Sequence, residues 1–145
     1  VIGAGTMGAG IAMCFANAGI KVTLLEMSEA NLERGIEGIR TRFDQAAKRG
    51  LINQTQLEQR MSLISGTCSY DDLADVDLVV EAAFETMEVK RQIFSTLDRV
   101  CKTDTILASN TSYLDINEIA KSTSRAHKVL GMHFFSPAFK ANGII

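Results

Sequence analysis

Three short stretches of this chain hold residues whose types and spacing could do chemistry. In "VIGAGTMGAG", Gly3, Gly5 and Gly8 are spaced as G-x-G-x-x-G, after an apolar remnant and before an amphipathic run. Gly3 allows a tight turn, Gly5 lets the backbone approach a pyrophosphate with no Cβ in the way, and Gly8 lets the next helix sit close to a sheet. That helix opens at Thr6 and Met7, so its free N–H groups and partial positive charge face the phosphates. Glu26 ends the next apolar run and is placed to accept hydrogen bonds from the adenosine ribose. A 2′-phosphate there would meet a carboxylate, and the following "MSEA" has no Arg to bind it, so NAD is expected rather than NADP. A glycine-rich turn in an α/β protein that binds no nucleotide has the same local spelling.

The second stretch, "LVVEAAFETMEVK", carries an apolar strand into acidic and small residues. In an open α/β sheet ligands lie beyond the carboxyl ends of the strands, which places Ala83, Glu85 and Lys90 to face a cofactor or substrate. The plainer reading has Glu85 charging a helix start and Lys90 solvated. "ILASNTSYL" repeats the arrangement one strand later, where Asn110, Thr111 and Ser112 could cap a helix or hydrogen-bond a ligand. In the third stretch, "GMHFFSPAFKANGII", His133 is one of two histidines in the chain and stands between apolar neighbours. A base is one reading of it and a packed core histidine the other.

The elements that must position these residues follow from periodicity. Short β-branched runs alternate with longer helical ones, which predicts β-α units and a parallel sheet, hence a doubly wound α/β fold. Strands are expected at Val1–Ile2, Lys21–Glu26, Met61–Gly66, Asp77–Ala82, Thr105–Ser109 and Lys128–Phe134. A helix follows the glycine turn and stops at Gly19. Ser28 to Arg49 reads as one long helix with an N-cap Ser and an apolar face of Leu32, Ile36, Ile39, Phe43 and Ala46. With "NQTQLEQR" it forms a helical excursion after the second strand. Arg34, Arg42, Lys48 and Arg49 share an arc of roughly 120° on the long helix, away from its apolar face, and suit either solvent or phosphates. Met87–Val100 and Ile116–Ser122 supply further crossover helices. The two residues before the glycine turn are short for a strand, as though it had been trimmed.

Composition narrows the class. With 145 residues the chain is the size of one domain. An apolar fraction of 46%, a charged fraction of 22% and a net charge of -2 suit neither a nucleic-acid binder nor a membrane-surface protein. Cys14, Cys68 and Cys101 are scattered with no CxxC spacing, which points to no metal site and to a reducing, cytoplasmic setting. No apolar run is long enough for a membrane span, and no targeting segment opens the chain.

Taken in order, "VIGAGTMGAGIA", "LLE", "VVEAAFE…VK", "ASNTSYL" and "GMHFFSPA" resemble the NAD-binding domain of the L-3-hydroxyacyl-CoA dehydrogenases of fatty-acid β-oxidation. That family includes 3-hydroxybutyryl-CoA dehydrogenases and multifunctional β-oxidation enzymes. The resemblance implies a Rossmann-type domain over residues 1–138 and oxidation of (S)-3-hydroxyacyl-CoA to 3-oxoacyl-CoA by hydride transfer to NAD. It implies that Glu85, Lys90, Ser112 and Ser136 contact the cofactor and that Ser112 also holds the substrate 3-hydroxyl. By the same resemblance His133 is the catalytic base, and Arg42 and Arg49 contact coenzyme A. Imidazole titrates near neutral pH, which suits that proton transfer.

The pattern breaks after Ala138. The family places a Glu beyond the His that orients its imidazole, but the corresponding position here is Ile145, and no acidic residue follows Glu118. The residues 139–145 form a tail that departs from the family, and the all-helical domain that closes the family's site and makes its homodimer is not encoded. The chain is therefore expected to bind NAD and to turn over little by itself. Two other readings stand beside this one: a non-catalytic NAD-binding or structural protein, and a dehydrogenase of a 3-hydroxy acid lacking coenzyme A.

Overall fold

The computed structural model describes residues 1–138. The tail at 139–145, with the Ile145 position, lies outside the described residues. Five strands, β1 (Val22–Leu25), β2 (Ile64–Thr67), β3 (Leu78–Glu81), β4 (Ile106–Ser109) and β5 (Val129–Gly131), alternate with helices α1 (Thr6–Asn17), α2 (Glu29–Lys48), α3 (Gln54–Ser62), α4 (Met87–Val100) and α5 (Ile116–Ala120). Every described strand pairing is parallel.

Ile2 joins β1 to β3 and makes one sheet of the order β2-β1-Ile2-β3-β4-β5. Its amide donates to Val80 O at 3.0 Å, its carbonyl accepts from Ala82 N at 2.9 Å, and it bridges Leu25 on the other side. The chain leaves Ile2 toward β1 and β2, then crosses back to β3, β4 and β5. Strand order reverses there, and in such sheets the crevice beyond the strand ends at the reversal is where ligands bind.

Alternation along the strands divides the core between two faces. Val22 and Leu24 pack with α1, α2 and α3, where Ile39, Phe43 and Leu57 are almost fully buried. Val80 and Ala108 pack with Ile11 of α1 and with Phe134. Leu25, Val79 and Leu107 face the other way, onto Ile93, Phe94 and Leu97 of α4 and Ile119 of α5. Each such fully buried large side chain contributes about 1.5–3 kcal/mol relative to exposure.

Local signals set most of the helix ends. Ser28 accepts from Asn31 N and starts α2, Thr86 accepts from Val89 N and starts α4, and Asp115 caps α5. One strand boundary differs from expectation. Met61 is the buried last turn of α3 rather than the start of a strand, because Asn53 and Gln56 form a capping box that nucleates the helix. Leu57 and Met61, four residues apart, then supply its buried face. The last strand ends at Gly131, short of the expected Phe134, and α5 ends at Ala120. No helix among the described residues is long and apolar enough to cross a membrane.

Candidate active site

The glycine turn sits at the strand reversal, and each of its glycines meets a different constraint. Gly3 has φ +94°, and a Cβ there would stand 2.7 Å from Ala82 O. A Cβ on Gly8 would fall 1.7 Å from Gly3 O, so α1 can approach the turn only without one. A Cβ on Gly5 would meet nothing within 4 Å. That emptiness opens into a cleft of about 740 Å³, bordered by Gly5, Thr6, Glu26, Arg34, Arg42 and Tyr70 among others.

Two observations show that these residues fit a dinucleotide. First, α1 is the one described α-helix with no side-chain cap, so its first-turn amides, at Thr6, Met7 and Gly8, are left for a ligand. Second, Glu26 is oriented in advance: Oε2 accepts from Ala4 N at 3.2 Å and Oε1 from Ser28 N at 3.3 Å, which leaves lone pairs for ribose hydroxyls. The Met7 side chain does not line the cleft and packs against the core cluster that includes Ile11 and Phe134. Tyr70 keeps its phenol protonated, since burial first, and then the Glu81 and Glu26 carboxylates, push its pKa up.

A buried polar network lies behind the cleft. Glu81, at the end of β3, is 0% exposed, and Lys90 is 1% exposed. The Lys90 ammonium donates to Glu81 Oε1 at 2.9 Å and Oε2 at 3.0 Å, and lies 3.7 Å from Glu85 Oε1. Glu81 also accepts from Ala83 N at 2.6 Å and Ser109 Oγ at 2.7 Å. Lys90 is thus buried and does not line the open cleft, unlike either reading of its sequence context, which had it solvated or facing a ligand. Its charge is spent inside, because Glu81 would otherwise be a buried, uncompensated carboxylate. Glu85 is half-buried; it accepts from the Thr111 hydroxyl and from Ser112 N at 3.4 Å. Ala83 lines the cleft.

The register Ser109↔Gly131 between β4 and β5 brings the two strand exits together. Ser112 Oγ lies 3.3 Å from His133 Nε2, although 21 residues separate them. The Phe135 ring meets the imidazole edge-on, with centroids 5.2 Å apart. Ser136 is exposed just beyond, before Pro137. Arg42 lines the cleft from α2, whereas Arg49, two turns on, is exposed at the helix end and does not line it.

Glu81, Ser109 and Tyr70 were not singled out from the sequence. The one signal for Glu81 was an acid inside the apolar run "LVVEAA", nine residues before a lysine. Nothing local marked Tyr70, which reaches the cleft from a 3₁₀ turn at Tyr70–Leu73.

Comparison with known proteins agrees with this geometry. The family described as "3-hydroxyacyl-CoA dehydrogenase, NAD binding domain" matches residues 1–142. A 3-hydroxybutyryl-CoA dehydrogenase of Clostridioides difficile is 42% identical over 137 residues, covering 94% of this chain and 49% of that protein. A peroxisomal bifunctional enzyme of Danio rerio is 45% identical over 138 residues, 95% of this chain but 18% of its own length. The crystal structure of 3-hydroxybutyryl-CoA dehydrogenase from Escherichia coli superposes with a TM-score of 0.97 at 39% identity, covering 99% of this chain and 30% of that one. The chain thus spans about half the length of one relative and far less of the others. With a match over nearly all its residues and the cofactor cleft in place, the chain belongs to the family of NAD-binding domains of the 3-hydroxyacyl-CoA dehydrogenases.

Proposed function

We propose that this chain is the cofactor-binding, base-carrying part of an enzyme that oxidises (S)-3-hydroxyacyl-CoA to 3-oxoacyl-CoA. The observation that carries the reading is the Ser112 Oγ to His133 Nε2 approach of 3.3 Å, beyond the carboxyl ends of β4 and β5 in the sheet that holds the glycine turn. His133 takes the 3-hydroxyl proton on Nε2, and Ser112 holds the same oxygen as it becomes a carbonyl. Bound NAD supplies the acceptor for the hydride that leaves C3. Gly3, Gly5, Thr6, Met7 and Gly8 bind its pyrophosphate, and Glu26 its adenosine ribose. Ala83, Glu85 and Ser136 would contact the cofactor, with Lys90 behind them paired to Glu81 and close to Glu85. Arg42 and Arg49 meet the phosphates of coenzyme A.

The cofactor-binding domain of this reading runs over residues 1–138. The reading extends to a cytoplasmic setting, to a homodimer made through the family's helical domain, and to no nucleic-acid partner, consistent with a net charge of -2. Acting alone, the chain binds NAD and turns over little.

Titration with NAD, and an assay with acetoacetyl-CoA and NADH on the chain and on His133→Gln, test this. Absence of NAD binding would remove the cofactor role, and turnover unchanged in His133→Gln would remove the base. A rate of roughly 1–1000 per second for the chain would refute its low activity.

A further inference from the structure

We infer that Asn110 is a positioning residue for His133, an inference that rests on His133 being the base. β5 ends at Gly131, so His133 lies beyond the strand. The chain is nevertheless held on either side of it. Met132 N donates to Ser109 O at 2.9 Å, the last backbone bond between the two strand exits. Phe134 N donates to Asn110 Oδ1 at 2.7 Å, where a side chain takes over from the ladder. Asn110 is itself tied to β3, its own amide donating to Glu81 O at 2.8 Å. Ser109, the last residue of β4, and Asn110 just after it thus clamp the neighbours of His133 before and after it.

The clamp also sets direction. Phe134 is 4% exposed and packs against Phe15, with ring centroids 6.4 Å apart, so it faces inward. His133, the residue before it, is turned instead toward Ser112, with Nε2 3.3 Å from the Ser112 Oγ. Without the Asn110 acceptor, the buried Phe134 amide would lack a partner, and the backbone would shift to find one. Asn110 therefore caps no helix, one of the two roles its sequence context offered, since Asp115 caps α5 and the Asn110 Oδ1 is taken by the Phe134 amide. It touches no reacting atom and acts through the backbone that presents the imidazole.

Nuclear magnetic resonance on the full chain tests this, because His127 is exposed and is the only other histidine, which makes it an internal reference. In the unsubstituted chain the Phe134 amide is expected to be protected from hydrogen exchange. Asn110→Ala is expected to speed that exchange by roughly fivefold or more, the worth of one amide hydrogen bond. The His133 ring-proton shifts, displaced by the Phe135 ring, should move toward those of His127, while NAD affinity stays unchanged. Asn110→Asp keeps the acceptor and should keep Phe134 protected. An unprotected Phe134 amide in the unsubstituted chain would overturn the inference even if Asn110→Ala fails to fold. Unchanged exchange and unchanged His133 shifts in Asn110→Ala would overturn it as well. Failure of the functional reading is separate, since it would appear as turnover indifferent to His133→Gln.

Discussion

Substituting alanine at the three glycines of the turn should separate folding from cofactor binding. At Gly5, φ -71° and ψ -171° suit alanine, and the new methyl would meet no protein atom within 4 Å. Alanine there lowers the entropy of the unfolded chain, worth about 0.4–1 kcal/mol, and gives back a similar amount as a poorer N-cap. Stability should therefore change by less than about 0.5 kcal/mol, or about 2 °C in Tm for a chain of this size. The methyl would, however, occupy the space over which a pyrophosphate approaches the α1 amides. Losing one charge-assisted hydrogen bond costs about 1.5–3 kcal/mol, which raises Kd for NAD roughly tenfold to a hundredfold. At NAD set to 100 times the original Kd, binding stabilises the parent by about 2.7 kcal/mol. A tenfold weaker variant would keep about half of that. Gly8→Ala, with its methyl 1.7 Å from Gly3 O, should fail to fold, and Gly3→Ala should lose about 1–3 kcal/mol from its φ of +94° alone. Thermal melts with and without NAD, with calorimetric titration, measure each quantity. A Gly5→Ala variant that melts normally and binds NAD as tightly as the parent would refute the placement of the pyrophosphate.

Three other outcomes follow from the same geometry. Lys90→Met should destabilise by about 3–5 kcal/mol by leaving Glu81 buried without its counter-ion, and adding Glu81→Gln should restore much of it; equal urea midpoints for single and double variants would contradict the pair. Burial pushes the Asp98 carboxyl up, but hydrogen bonds from Ser124 and Arg125 and the nearby guanidinium outweigh it, so its pKa lies below the usual range. A pKa depressed by folding stabilises above the unfolded value of about 3.9, and that contribution is lost as pH falls through the folded value. The stability gap between the parent and Asp98→Asn should therefore narrow below about pH 4, and a gap constant from pH 7 downward would refute the argument. Arg42→Ala with Arg49→Ala should weaken coenzyme A in a binding titration, and unchanged affinity would favour a substrate without coenzyme A.

The sequence by itself determined what short-range physics controls. The G-x-G-x-x-G turn, the Ser28 cap and apolar stripe of α2, the span of α4 and the parallel α/β alternation were legible because each depends on residues within a turn or two of one another. The boundary between α3 and β2 was not, since an apolar run as short as "MSLIS" serves either element and the capping box upstream decided it. Tertiary structure alone decided the fate of Lys90, whose burial depends on Glu81 arriving from another strand. It also decided the partners of Asn110 and Ser112, which lie 24 and 21 residues away. In a parallel sheet, residues at neighbouring strand exits are separated in sequence by a whole crossover helix. Only the register of β4 on β5 brings Ser112 to His133 and Asn110 to the amide after it.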